Sequence, residues 1–159
     1  MGRILTIRSG HTLFALDLRQ VRHVLHLPEL QCPMPLPSFV AGYFFLDRVL
    51  VTVLDLASLL GFGALDPSPY SPLILLQGQP AGIALLVEEV PAIGGFTELA
   101  AMAEDASFNG VVKGRCGEGP DAPFLIDPNR LLLEQERQRL HELTARATER
   151  LAAGLESEA

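Results

Sequence analysis

The chain has 159 residues, 48% of them hydrophobic, and a net charge of −7, which suits one domain with a real core. With one lysine (Lys113), no tryptophan and arginines scattered among acids, it lacks the clustered cations that a nucleic-acid surface needs. No secretory leader is visible, and apolar runs such as Phe39–Leu46 fall well short of the roughly 18 residues of a membrane helix, so a soluble cytoplasmic protein is expected.

Short strand-like runs follow one another from the start: Ile4–Arg8, Thr12–Leu18, Arg22–Leu27, Val40–Leu46 and Val49–Leu56. The last two are separated only by Asp47-Arg48 and read as an antiparallel hairpin. Asp55 then stands as a helix N-cap, Ala57–Leu60 supply about one helical turn, and Gly61 takes the C′ place. A loop with Pro67, Pro69 and Pro72 precedes a second series: Leu73–Gln77, Ile83–Glu88, Val90–Phe96, Val111–Gly114 and Phe124–Asp127. Gly and Pro punctuate nearly every junction, which indicates an all-β barrel or sandwich. The proline loop divides the strands into two sets, predicting subdomains over about residues 10–63 and 70–127.

The end of the chain differs. Asp127-Pro128 offers an N-cap with proline at the first helical position. Asn129–Ala153 contains no Gly or Pro, so a long helix is predicted over 128–155. At 1.5 Å per residue the Asn129–Ala153 stretch, if helical throughout, reaches roughly 38 Å. Leu133, Leu140, Leu143, Ala147 and Leu151 draw one apolar stripe, which Leu155 would prolong. Glu142 and Arg146 form a favourably oriented i,i+4 pair. Leu131–Leu133 are expected to dock on the strands. The distal stripe (Leu140, Leu143, Ala147, Leu151) is expected to extend beyond them as an interaction face, with a fold-back along the domain as the alternative.

Residues able to carry chemistry do not assemble into a site. His23 and His26, with Cys32 beyond, have a spacing that would share one face only on a helix, and their setting is a strand. Cys116 has no histidine beside it in sequence. Glu88 and Glu89 would point to opposite faces of a strand and cannot share a proton. Gly61-Phe-Gly63 and Gly117-Glu-Gly119 lack a Walker lysine and read as turns. Cys32 and Cys116 lie far apart and suit free thiols of a reducing compartment. No enzyme, cofactor or metal is expected.

The Gly42–Gly61 stretch resembles the CheW-like domain, the bacterial chemotaxis coupling module, whose pattern there runs roughly G-V-I-N-L-R-G-x-I-I-P-V-I-D-L-R-x-x-L-G. Gly42, Leu46, Leu50, Val51, Val53, Leu54, Asp55, Leu56, Leu60 and Gly61 fit without a gap. Further matches follow in order: Phe14–Leu18 with Val21–Val24, Leu36-Pro37 with Phe39–Gly42, Ala84–Val90, and Phe124–Asp127. The resemblance covers about residues 3–133, with the domain taken as 1–133. It implies two small SH3-like barrels packed side by side, which with the long C-terminal helix read from the residues makes an all-β fold with a helix partly extending beyond the domain. It also implies a non-enzymatic adaptor that couples a chemoreceptor's cytoplasmic hairpin to the regulatory domain of a histidine kinase.

By the same resemblance, Val21, His23 and Val24 occupy a V-x-E-V step, and Val87 and Val90 a V-D-x-V step. Together with Gly42, Asp47 and Arg48 they form the expected partner-binding set. The chain departs from the pattern at telling places: Asp47 stands for an arginine, Arg48 for the turn glycine, His23 for a glutamate and Thr52 for a proline. A reversed charge at a position that sets register repels the usual partner. A divergent partner set is therefore expected. The competing reading is a homotypic assembly protein that uses the barrels as a platform and the C-terminal helix to pair with itself.

Overall fold

The computed structural model describes residues 2–9, 12–61, 63, 68–77, 82–96, 99–100, 112–117, 122–130 and 134–158. The strands are β1 (Gly2–Ser9), β2 (Thr12–Asp17), β3 (Val21–His26), β4 (Val40–Leu46), β5 (Val49–Asp55), β6 (Pro72–Leu76), β7 (Ile83–Leu86), β8 (Glu89–Phe96), β9 (Leu99–Ala100), β10 (Val112–Cys116) and β11 (Phe124–Ile126). Two helices complete the described elements, α1 (Leu56–Leu59) and α2 (Glu134–Glu158), along with 3-10 turns at Leu18–Gln20 and Pro128–Arg130.

Two sheets form. The order is β8-β1-β2-β11-β10-β9 in one and β3-β6-β7-β5-β4 in the other. This corrects the expected division at the proline loop. β1 and β2 leave the first strand series to pair with β8 and β11, while β6 and β7 cross the loop to join β3 and β5. Each sheet thus draws strands from both sides of the loop. Alternation and turn residues mark where a strand lies but carry no record of its distant partner.

In the five-stranded sheet, Gln31 and Tyr43 exchange backbone hydrogen bonds of 2.7 and 2.9 Å. That pair ties the segment after β3 to β4 and closes the sheet on itself. Its interior holds Phe44, Val51, Val53, Leu73, Leu75, Ala84 and Leu86. A smaller cluster of Ile4, Ala15 and Leu125 belongs to the other sheet. The largest cluster joins residues of both sheets, among them Leu5, Phe14, Tyr43, Leu54, Ile74, Leu85 and Ile126. Successive residues of β5 therefore bury opposite faces, Val53 in one cluster and Leu54 in the other, as a strand covered on both sides must. Each such leucine or isoleucine contributes about 1.5–3 kcal/mol by leaving water.

Local signals are followed closely. The Asp55 carboxylate accepts from the Ser58 amide at 3.3 Å, and Gly61 turns away at φ +84°. Leu46 pairs with Val49, so the β4–β5 turn has two residues. Asp47 and Arg48 take φ of 48° and 68°, the left-handed pair that a twisted hairpin demands and that Asn-Gly or Asp-Gly usually fills. Arg48→Gly is expected to raise the unfolding free energy by about 0.5–1 kcal/mol, less than the full αL cost because glycine also loosens the unfolded chain. A urea titration checks this. An unchanged midpoint would mean that Arg48 meets no strain there.

The C-terminal helix brings two corrections. Asp127-Pro128 opens a 3-10 turn, Pro128–Arg130, with the Arg130 amide bonded to Asp127 O at 3.0 Å, and the α-helix is described from Glu134. Leu131–Leu133 and the side chain of Leu155 lie outside the described residues. The second correction is larger. The stripe does not project: Leu140, Leu143 and Ala147 are 7%, 1% and 0% exposed, and Leu151 packs partly buried against the same cluster. The Thr144 hydroxyl sits 3.4 Å from that of Thr52 on β5. The Arg150 guanidinium donates to Pro33 O, beyond β3, at 2.8 Å. The helix lies along the domain because both sheets leave one shared apolar surface that needs a cover.

Candidate partner-binding site

The structure sorts the expected site residues by depth. Val87 is core, its amide bonded to Pro72 O at 3.2 Å where the chain passes from one sheet to the other. Val90 and Val21 are half-buried against the shared cluster. Gly42 is buried at a bulge in the β4–β5 ladder. His23, Val24, Asp47 and Arg48 face solvent. The members able to touch a partner directly are thus on β3 and on the β4–β5 turn, while Gly42 and Val87 hold the scaffold behind them.

β3 runs along β6 in antiparallel register, with a bulge between Val21 and His23. Leu25 turns inward to the five-stranded interior. Val24 and His26, spaced by two, share the outward face, and Arg22, the extra residue of the bulge, is exposed beside them. Val24 is 45% exposed. Beside the end of this ladder, where the Leu27 amide bonds to Ser71 O at 3.0 Å, a serine-bounded turn presents Tyr70, 82% exposed. That turn is well fixed: the Ser68 amide donates to Ser71 Oγ at 2.9 Å and the Tyr70 amide to Ser68 Oγ at 3.2 Å. Tyr70 was not among the expected residues. Its signal is a Ser-Pro-Tyr-Ser run, a turn sequence around one aromatic. Among the described residues, Val49 at the hairpin and Ile93 on β8 are the other large apolar side chains left exposed.

Reactive groups are distributed, not gathered. His23 and His26 stand exposed on β3, and Cys32 is exposed after it, its thiol 3.6 Å from Ala41 O. Among the described residues no group of three His, Cys, Asp or Glu could hold a metal ion. Burial pushes the Cys116 thiol up, which makes it a poorer nucleophile at neutral pH. The Tyr43 phenol is also pushed up by burial, and the nearby Thr144 hydroxyl opposes that only in part. Arg19 clasps the Asp17 carboxylate at the first 3-10 turn, with a 2.7 Å contact that lowers the Asp17 pKa.

The CheW-like domain model matches residues 3–136. The chain belongs to the CheW-like domain family. Its two sheets are the two SH3-like subdomains of that fold, and the domain is a scaffold or adaptor module of chemotaxis signalling. Among solved structures it is similar to the scaffolding protein TtCheW from Thermoanaerobacter tengcongensis, with a TM-score of 0.73 at 19% identity, covering 83% of this chain and 88% of that one. At that identity the likeness speaks for the fold. No curated protein matches the chain significantly by sequence. No helix among the described residues is long and apolar enough to cross a membrane.

Proposed function

We propose that this CheW-like domain is a non-enzymatic cytoplasmic adaptor that couples a chemoreceptor-type cytoplasmic hairpin to the regulatory domain of a histidine kinase. The family match over residues 3–136 carries the reading. β3 and the β4–β5 turn support it by offering exposed apolar and charged side chains on a rigid sheet. Asp47 and Arg48 set partner choice, since they lie at the solvent-facing tip and depart from the family's arginine-glycine pair.

Binding of the purified chain to a kinase regulatory domain and to a receptor hairpin tests the proposal. Asp47→Arg with Arg48→Gly should raise affinity for an ordinary kinase–receptor pair by roughly tenfold, about 1.4 kcal/mol. The stability of the double variant should change by less than about 1 kcal/mol. Equal binding by wild type and double variant places the turn outside the interface. Absence of binding to either partner removes the adaptor reading. Self-assembly through α2 is not favoured, because the stripe it would use is buried within the chain.

A further inference from the structure

The Gln31–Tyr43 bridge closes the five-stranded sheet beyond the end of β3, and among the described residues the outer edge of β3 itself stays unpaired. On β4 the outward groups of Tyr43 are taken by Gln31. On β3 the ladder pairs only with β6. Its hydrogen-bond phase follows from one contact: the Leu27 amide bonds to Ser71 O, which makes Leu25 and His23 the bonded positions toward β6. His26 falls opposite Pro72, which has no N–H to exchange, in keeping with that phase. The N–H and C=O of Val24 and His26 therefore point away from β6, and no described residue pairs with them. An exposed row of unpaired backbone groups is a template for another strand. The outer edge of the six-stranded sheet is blunter, since β8 carries Pro91.

Side chains along β3 define what fits. Val24 and His26 stand on one face, and Arg22 is exposed at the bulge just before them. Arg22 has no ion-pair partner among the described residues, in a chain whose net charge is −7. Two copies meeting antiparallel about Val24 would bring the exposed Arg22 of one near His26 of the other, which offers no attraction. A strand with a branched apolar residue beside Val24, an acceptor beside His26 and an acid within reach of Arg22 suits this edge.

We propose that the outer edge of β3 is a strand-addition site for an extended segment of another protein with an acid–x–apolar–x–acid pattern. The inference rests on the reading of β3 as a partner surface, but not on the identity of the kinase or receptor. Backbone hydrogen bonds supply the affinity, and these side chains supply the selection.

A terminally blocked peptide containing Glu-Thr-Val-Thr-Glu, and the same peptide with lysine for glutamate, are the probes. The acidic peptide should shift the amide resonances of Val24 and His26 and slow their hydrogen exchange; the lysine peptide should not. Val24→Pro removes an outward N–H while leaving the β6 bonds intact, and should weaken acidic-peptide binding by about tenfold. Arg22→Glu, an exposed change that leaves the fold intact, should weaken it several-fold. Equal binding of both peptides, or undiminished binding by both variants, overturns the proposal. Protection of these amides that rises with protein concentration alone assigns the edge to a second copy and overturns it too. Kinase or receptor binding with no binding of the acidic peptide at the β3 amides defeats this inference alone. Peptide binding without kinase or receptor binding defeats the adaptor reading alone.

Discussion

Leu143→Ala is expected to lower the unfolding free energy by about 3 kcal/mol while leaving the sedimentation behaviour of the folded chain unchanged. Leu143 is 1% exposed on α2, and truncating a leucine at such a site typically costs about 2–5 kcal/mol through lost transfer energy and the cavity left behind. Its neighbours one turn away, Leu140 and Ala147, are part of the cluster shared by the two sheets, so the site cannot collapse freely. Replacing Leu140, Leu143 and Leu151 together with serine adds buried hydroxyls to three lost side chains. The sum approaches the roughly 5–15 kcal/mol that holds an ordinary domain together, and that variant should fail to fold. Urea unfolding of the single variant, followed by circular dichroism, reads the effect. A change below about 1 kcal/mol, coupled to a loss of self-association, would return the stripe to the role of an interaction face.

Expectation and structure part over this helix for a definite reason. A 3.6-residue period says which face of α2 is apolar, and it was right about Leu140, Leu143, Ala147 and Leu151. It says nothing of what covers that face. Leu140 and Ala147 belong to a cluster drawn from β1, β2, β4, β5, β6, β7, β10 and β11, and no single stretch of sequence contains it. The same limit explains the misplaced subdomain boundary, since a period of two cannot name a strand's partner across the proline loop. Local chemistry was legible around the β4–β5 hairpin. Asp55 as a cap, Gly61 as a stop and Asp47-Arg48 as a two-residue turn each depend on neighbours within a few positions. For the candidate site, the order of motifs pointed to β3 and the hairpin tip, but depth had to come from the fold. Val87 fits the family step as well as Val24 does, yet one is core and the other faces water.

Gly42→Val is expected to cost about 3–5 kcal/mol, the largest effect of any single change on β4. Gly42 sits at the β4–β5 bulge with φ +154°, a conformation that side chains rarely adopt and that a β-branched residue resists most. A Cβ there would stand 2.9 Å from the Leu30 Cβ, 3.2 Å from Gln31 O and 3.3 Å from the Cys32 Sγ. Leu30 cannot retreat without moving Gln31, whose backbone closes the sheet onto Tyr43. Backbone strain of about 1–3 kcal/mol and overpacking of about 1–3 kcal/mol therefore fall on the backbone seam that joins β3's continuation to β4. Gly42→Ala should lie between wild type and Gly42→Val, since it keeps the first clash without the branched methyl. Hydrogen exchange supplies the local reading: the Gln31 and Tyr43 amides should lose protection before those of β6 and β7. If both variants melt with the wild type, the segment after β3 moves aside freely and the seam contributes nothing. Partner binding is to be read only on the folded fraction, so that a lost interface is not mistaken for a lost domain.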